Sequence, residues 1–582
     1  MITELYQREL RALKEKAREF SKKYPAFAGH LGDESADPDV ERILEGVAFL
    51  GAGIQEKLDS GFPHFAQSLL DLIAPQYLQE IPSTTIIEFQ PKNVLKTKID
   101  VPEGTFIDSV EVGGTKCRFS TCTSMAMYPL AIDRMYLETR GDDKAIFKME
   151  FGILEGARCP VDLTSLKFLV SGSYLDASNL FHVLTSHQGS ITLKDGDSEQ
   201  VLSGYSLEPV GTLDEFTMLE QPEQTLPSYR MLTEYFVNKS KFLYFQLRHI
   251  SGKELVTENN QFTLEIELNN LRGRMPRVSN DSVRIFTTPA INLFDHESEP
   301  VQYEQHDSEV MIKPLRNTDG QFSVHSIDQV VGHNRQNGQK REYFPLSLVG
   351  KASAGGLEGT KLGYGIYETV RKPESDKDLV NHHLTLSYPQ GTEIPEKETL
   401  TAKLKCSNGS LAGDLNQGDV CKATLNTSEL VKFSNIMPPT TYVPARTGDV
   451  VWSLLSHLNT NYLTIANGKN LKSLLSLYLP QSTSDRREES ANLKRLESVQ
   501  EVSVESVDKL FRGTLVRGQR VSVTLDGVGF AGLGDIFIFG GVLHKLFKDF
   551  ASVNSFVELQ IIDTNSGEEL AWKAQLGNHL LI

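Results

Sequence analysis

The spacing of apolar residues changes near residue 82, and that change bounds the fold. Before it, Tyr6, Leu10, Leu13, Ala17 and Phe20 step by four, three, four and three, the repeat of one helix face. The other face of this first helix carries Arg8, Glu9, Arg11, Lys14, Glu15, Lys16, Arg18 and Glu19. A narrow apolar stripe on so charged a helix needs a partner, from its own chain or another. The stretch ADPDVERILEGVAFLGAGIQEKLDSGFPHFAQSLLDLIAP (36–75) repeats the helical period, with Val40, Ile43, Leu44, Val47, Leu50, Ile54 and Leu58 on one stripe. Asp37 precedes Pro38 as an N-cap precedes a proline at the first helical position. Asp59-Ser60-Gly61 is expected to end this helix, and Pro63 to open another with Phe65, Leu69, Leu72 and Ile73 on its apolar face. Glu41, Glu45 and Glu56 fall mostly off the stripe and read as a solvated face. His64 reads as a surface residue, because no Cys or His stands at ligand spacing from it. The whole stretch reads as scaffold and docking surface.

From Ser83 the period becomes that of strands. VPEGTFI (101–107), CRFST (117–121), IFKMEFGIL (146–154), LKFLVSG (166–172) and FTLEIEL (262–268) are short runs broken by Pro, Gly and Asp. Such runs point to sandwiches or barrels. A short helix near 176–184 interrupts them. Residues 331–430 form a second β-leaning region, with a Gly-rich stretch at 350–365. Beyond Met437-Pro438-Pro439, helical spacing returns at Trp452, Leu455, Leu458 and Tyr462 and again at Leu471, Leu474, Leu475 and Tyr478. Residues 481–495 are polar and charged and read as a linker or exposed loop. Strands are expected at 514–525 and 535–540, then a helix through Val542, Leu543, Leu546, Phe547 and Phe550. The predicted fold is α+β and multi-domain: a helical segment over 1–82, β-rich sandwich-like or barrel-like domains over 83–330, a second β-rich region over 331–430, and an α+β domain over 431–582.

Composition removes several function classes. At 582 residues the chain needs more than one core. A formal charge of −17 disfavours nonspecific nucleic-acid binding, which relies on clustered Lys and Arg. The five cysteines, Cys117, Cys122, Cys159, Cys406 and Cys421, form no disulfide framework and suit a reducing cytosol. The longest uncharged stretch, near 450–468, is too polar for a membrane span. A soluble cytoplasmic protein is expected.

The chemistry-bearing motifs fail. GVGFAG (527–532) has the G-x-G-x-x-G form and follows a strand-like run. A dinucleotide site needs a helix N-terminus next, whereas GLGDIFIFGG reads as another turn and an apolar strand. A glycine-rich hairpin is the expectation. No P-loop, H-E-x-x-H or G-x-S-x-G pattern occurs. No catalytic, cofactor-binding or metal-ligating set is assigned, and no cofactor is expected.

Several strings resemble one family in order along the chain. YQRELRALKEKAREFSKKYPAFAGHLG (6–32) and residues 36–78 resemble the start of the TssF (VasA) family of type VI secretion baseplate components. RMLTEYFVNKSKFLYF (230–245), TTPAINLFDHESEPV (287–301), PPTTYVPAR (438–446), VWSLLSHLNTNYLTI (451–465) and GDIFIFGGVLHKLFKDFASVNSFVEL (534–559) are similar to later family segments. The resemblance implies a structural wedge subunit, two copies pairing around one TssG. It further implies association with TssE, the adaptor TssK, a VgrG spike and copies of itself in neighbouring wedges. The family is similar to wedge proteins of contractile phage tails. The baseplate would sit at the inner face of the inner membrane, with no insertion of this chain. The residues expected at interfaces are Tyr6, Leu10, Leu13, Ala17 and Phe20 on the first helix. Asn459, Asn461 and Tyr462, in a polar loop, are expected there too. The alternative is a β-rich carbohydrate-active enzyme with no recognisable motif; two tryptophans, Trp452 and Trp572, support a sugar-stacking groove poorly.

Overall fold

A computed structural model describes residues 2–23, 38–141, 143–196, 198–220, 225–271, 275–317, 320–334, 338–348, 364–373, 380–389, 394–446, 467–480, 486–511 and 513–577. Side chains are described except at 2–5, 9, 20–23, 38, 40–41, 53–64, 373 and 511.

The chain opens with a helical hairpin. Helix α1 spans Ile2–Lys23 and packs along helix α2, Pro38–Ile73. Sequence reading broke α2 at Asp59-Ser60-Gly61; the structure corrects this to one unbroken helix of 36 residues. Pro63 costs a backbone hydrogen bond and a steric clash, about 3 kcal/mol in an isolated helix. That cost is offset because α2 is held on both sides of the proline: Ala48 and Ala52 before it, and Ala66 and Leu70 after it, are fully buried.

A turn at Pro75–Tyr77 leads into the β body. A six-stranded sheet has the order 420–423, 106–112, 115–121, 287–291, 84–91, 431–435. Its strands come from segments more than 300 residues apart, with Phe89 opposite Phe433. A five-stranded antiparallel sheet follows: 198–201, 188–195, 261–268, 145–153, 130–139. In it, FTLEIEL buries Phe262, Leu264, Ile266 and Leu268 as its alternation requires. Helices α3, Tyr174–Ser186, and α4, Pro227–Val237, pack between this body and the C-terminal region.

Eight strands between Phe294 and Ser407 form one further sheet with its own core, built on Tyr303, Val330, Tyr343, Tyr367, Leu384 and Leu404. A boundary at 330/331 would cut the strand Ser323–His333. Strands 420–423 and 431–435 return to the first sheet.

The C-terminal region contains α5, Gly468–Leu477, α6, Arg486–Ser498, and α7, Leu533–Phe550. Its four-stranded sheet runs 499–511, 514–525, 556–563, 569–576. Two expectations are corrected here. The polar stretch 481–495 contains helix α6 from Arg486, because Arg495 and Asn492 point inward to buried partners. Residues 535–540 begin α7 rather than forming a strand: Ile536, Phe539, Leu543 and Phe547 continue one helical face into the core. The strands 514–525 and 556–563 are parallel, so α7 is the crossover of a β-α-β unit.

Candidate interaction surface

Helix α2 is apolar on the side that faces water. Ala48, Ala52, Ala66 and Leu70 are fully buried, whereas Ile43, Leu50 and Phe65 are 64, 67 and 62% exposed. Val47, Phe49, Leu72 and Ile73 are exposed as well. At about 100° per residue, Ile43, Val47, Leu50, Phe65 and Leu72 fall in a sector ~60° wide, with the alanines opposite. Ile43, Val47 and Leu50 span about 10 Å of helix, and Phe65 and Leu72 share their sector beyond residues 53–64, whose side chains are not described. Alanines at 48 and 52 let α1 approach closely, so the larger side chains are left outward. Each large apolar side chain left in water forgoes about 1.5–3 kcal/mol of burial. A group of large apolar side chains exposed in this way marks an interaction site.

Tyr6, Leu10, Leu13 and Ala17 are half-buried on α1, so part of their stripe is taken up within the chain. The side chain of Phe20, and all of Asn459, Asn461 and Tyr462, lie outside the described residues, as do Trp452 and Leu455. Sequence reading took 36–75 as scaffold and docking surface but named its interface residues on α1 and at Asn459, Asn461 and Tyr462. The signal that separates the two is the alanine row at 48, 52 and 66, opposite the large side chains.

The glycine-rich loop has the strand-loop-helix context that sequence reading denied it, yet its backbone donors are taken. The Gly527 N–H donates to Asp563 Oδ1 at 2.8 Å, and the Val528 N–H to Asp526 at 3.1 Å. The Ala531 N–H donates to Asp535 Oδ2 at 3.0 Å, and the Gly534 N–H to Asn179 Oδ1 at 3.1 Å. Asp535 also accepts from Arg495 at 3.1 Å and from the Tyr174 hydroxyl at 2.8 Å. Three carboxylates thus occupy the positions from which a pyrophosphate would be held, and they would repel it. The glycines serve packing: a Cβ on Gly529 would overlap Ser498 Oγ, and one on Gly534 the Ser178 backbone.

Other polar groups likewise serve structure. Glu234 and Lys241 form a fully buried ion pair, and Glu234 also accepts from the Met218 and Leu219 N–H groups. A cavity of about 700 Å³ is lined by His182, His187, Phe537, Glu568 and Glu569. Among the described residues, no cluster of three His, Cys, Asp or Glu could hold a metal ion. Trp572 stacks on Phe537, centroids 5.5 Å apart, and seats against Gly540. Its ring is packing, not a platform for sugar.

Comparison with known proteins agrees with this scaffold-like picture. The family model described as "Type VI secretion system, TssF" matches residues 1–579. The type VI secretion system component TssF1 of Pseudomonas aeruginosa is 26% identical, with 99% of each chain covered. A chain of the TssK-TssF-TssG baseplate subcomplex, solved by cryo-electron microscopy, is 26% identical with a TM-score of 0.76, over 93% of this chain and 99% of that one. A chain of a type VI secretion baseplate complex shares the fold at 23% identity, with a TM-score of 0.62 and both chains fully covered. None of these relatives supports the carbohydrate-active alternative. With the family model spanning nearly every residue, the chain belongs to the TssF family of the type VI secretion system.

Proposed function

We propose that this chain is a structural wedge subunit of the type VI secretion baseplate, and that its helical hairpin joins a helix bundle with TssG. The outward apolar residues on α2 carry the reading: Ile43, Val47 and Leu50 share one exposed sector and are backed by buried Ala48 and Ala52, as on a bundle helix. The solved relative is held in one subcomplex with TssK and TssG, which supports both as partners. On this reading two copies surround one TssG, and the wedge meets TssE, the VgrG spike and neighbouring copies. Tyr6, Leu10, Leu13, Ala17 and Phe20 form the rim of the same seam, and Asn459, Asn461 and Tyr462 a second contact. The chain acts by binding, without catalysis or cofactor. Among the described residues no helix is long and apolar enough to cross a membrane. The proposed location, the cytoplasmic side of the inner membrane, rests on a place in the baseplate, as the solved relative has.

The test is Ile43→Asp combined with Leu50→Asp, co-expressed with TssG. Both positions are exposed in the free chain, so its melting temperature should hold while co-purification with TssG is lost. A folded double variant that still retains TssG overturns the bundle reading.

A further inference from the structure

Helix α2 meets the eight-stranded sheet through two polar ties near its C-terminal end. Arg371 Nη1 donates to both oxygens of Asp71, at 2.7 and 2.8 Å. Ser68 Oγ donates to the Glu368 carboxylate. Ser68 and Asp71 lie one helical turn apart on the same side of α2. Glu368 and Arg371 are three apart on the strand Gly365–Pro373, so they point to opposite faces of the sheet. Both nonetheless bond to α2. The parallel neighbour of that strand pairs with it no further than Pro345, opposite Tyr367, so residues 368–373 have no strand partner on that side among the described residues.

Ala66 and Leu70 on the other side of the helix are buried in the main core, but the side facing the sheet is loosely filled. A cavity of about 200 Å³ lies between helix and sheet, lined in part by Asp71, Tyr367, Glu368, Arg371 and His382. Arg371 Nε and His382 Nδ1 have no hydrogen-bond partner among the described residues, although both side chains are more than nine-tenths buried. Close packing resists tilting; a void does not. The ion pair is the directional element, since a buried guanidinium keeps its carboxylate at one distance and angle.

The lever is long. From Asp71 to Pro38 is 33 residues, about 50 Å of helix. A tilt of ~10° at Asp71 would move the far end by about 9 Å, more than one helical pitch. The row Ile43, Val47 and Leu50 lies toward that far end.

We infer that Asp71 and Arg371, with Ser68 and Glu368, are positioning residues: a latch that fixes the angle at which the apolar face of α2 is presented to its partner. The inference rests on the bundle reading for its purpose but not for its geometry. The experiment uses the full chain with spin labels at Glu45 and Gln302, both exposed, and reads their distance distribution with and without TssG. Asp71→Asn should broaden the distribution in the free chain, or shift its mean by about 5 Å or more, roughly one helical pitch. It should also weaken TssG binding about tenfold. Asp71→Glu, which keeps the charge, should restore both. Should Asp71→Asn not fold, Ser68→Ala with Glu368→Gln removes the other tie without stranding a buried charge, and the same broadening is expected. An unchanged distribution in a folded latch variant overturns the inference. Broadened distances together with normal TssG binding by the Ile43→Asp, Leu50→Asp chain would overturn the bundle reading and leave the latch standing.

Discussion

The hydroxyls of Tyr77 and Tyr478 share a hydrogen bond of 2.7 Å across 401 residues of sequence. Tyr478 also stacks on Tyr229, centroids 5.7 Å apart, while Tyr77 meets both rings edge-on. The turn that ends the helical hairpin is thus locked to the end of α5 in the C-terminal region. Arg446 closes the cluster by donating from Nη2 to the Leu479 carbonyl at 3.2 Å. Burial pushes both tyrosine pKa values far above the ordinary range, so both hydroxyls stay protonated at any working pH.

Tyr77→Phe removes one hydroxyl and keeps the ring. The loss should be about 1 kcal/mol, the net worth of one hydrogen bond. Tyr478→Ala removes the stacked ring as well and should cost about 3–5 kcal/mol. Chemical denaturation of the full chain, followed by tyrosine fluorescence, checks both. A Tyr77→Phe chain as unstable as Tyr478→Ala would contradict a role centred on ring packing.

The two faces of α2 should respond oppositely to size. Ala52→Leu enlarges a fully buried alanine and should destabilise by about 1–3 kcal/mol through overpacking. Leu50→Ala shortens an exposed side chain and should change stability by less than about 0.5 kcal/mol. Thermal melts of the two variants decide. Equal losses would mean that the Leu50 face is buried in the free chain.

Acid should weaken the C-terminal region through His544. This residue is 5% exposed, and burial pushes its pKa down to about 4. The unfolded imidazole titrates near 6.5. As pH falls through that value, the unfolded chain takes up a proton that the folded chain refuses. Stability is therefore intact above pH ~6.5 and lost progressively toward pH ~4, by about 3 kcal/mol. His382, pushed down to about 3 by burial and by Arg371, acts with the same sign. Melting His544→Phe at pH 7 and at pH 4.5 should show a smaller acid loss than the parent chain. An identical loss would assign the acid sensitivity elsewhere.

The glycine-rich loop should answer to packing and not to nucleotides. Gly529→Ala places a methyl group against Ser498 and the Lys494 carbonyl, and the melting temperature should drop. Millimolar NAD or ATP should leave the parent melting temperature unchanged, because Asp526, Asp535 and Asp563 already hold the loop's N–H groups. A nucleotide-dependent rise in melting temperature would reverse this assignment.

Some features were set by local sequence. The period of four and three made α1 and α2 helical, and the alternation in FTLEIEL made 262–268 a half-buried strand, whatever their surroundings. The chain order of the quoted strings was sufficient for the family resemblance. Other features depended on neighbours distant in sequence. Pro63 sits inside α2 because buried alanines on either side hold the helix together. Asp535 and Ile538 became helical because Arg495, Tyr174 and the body meet α7 there, although their alternation suits a strand equally well. Residues 420–423 and 431–435 joined the first sheet, an outcome no local pattern records. Periodicity tells which residues share a face; it does not tell whether that face meets the chain's own core or another molecule. For α2 that choice was made in three dimensions, where Ala48, Ala52 and Ala66 are buried and Ile43, Leu50 and Phe65 are left in water.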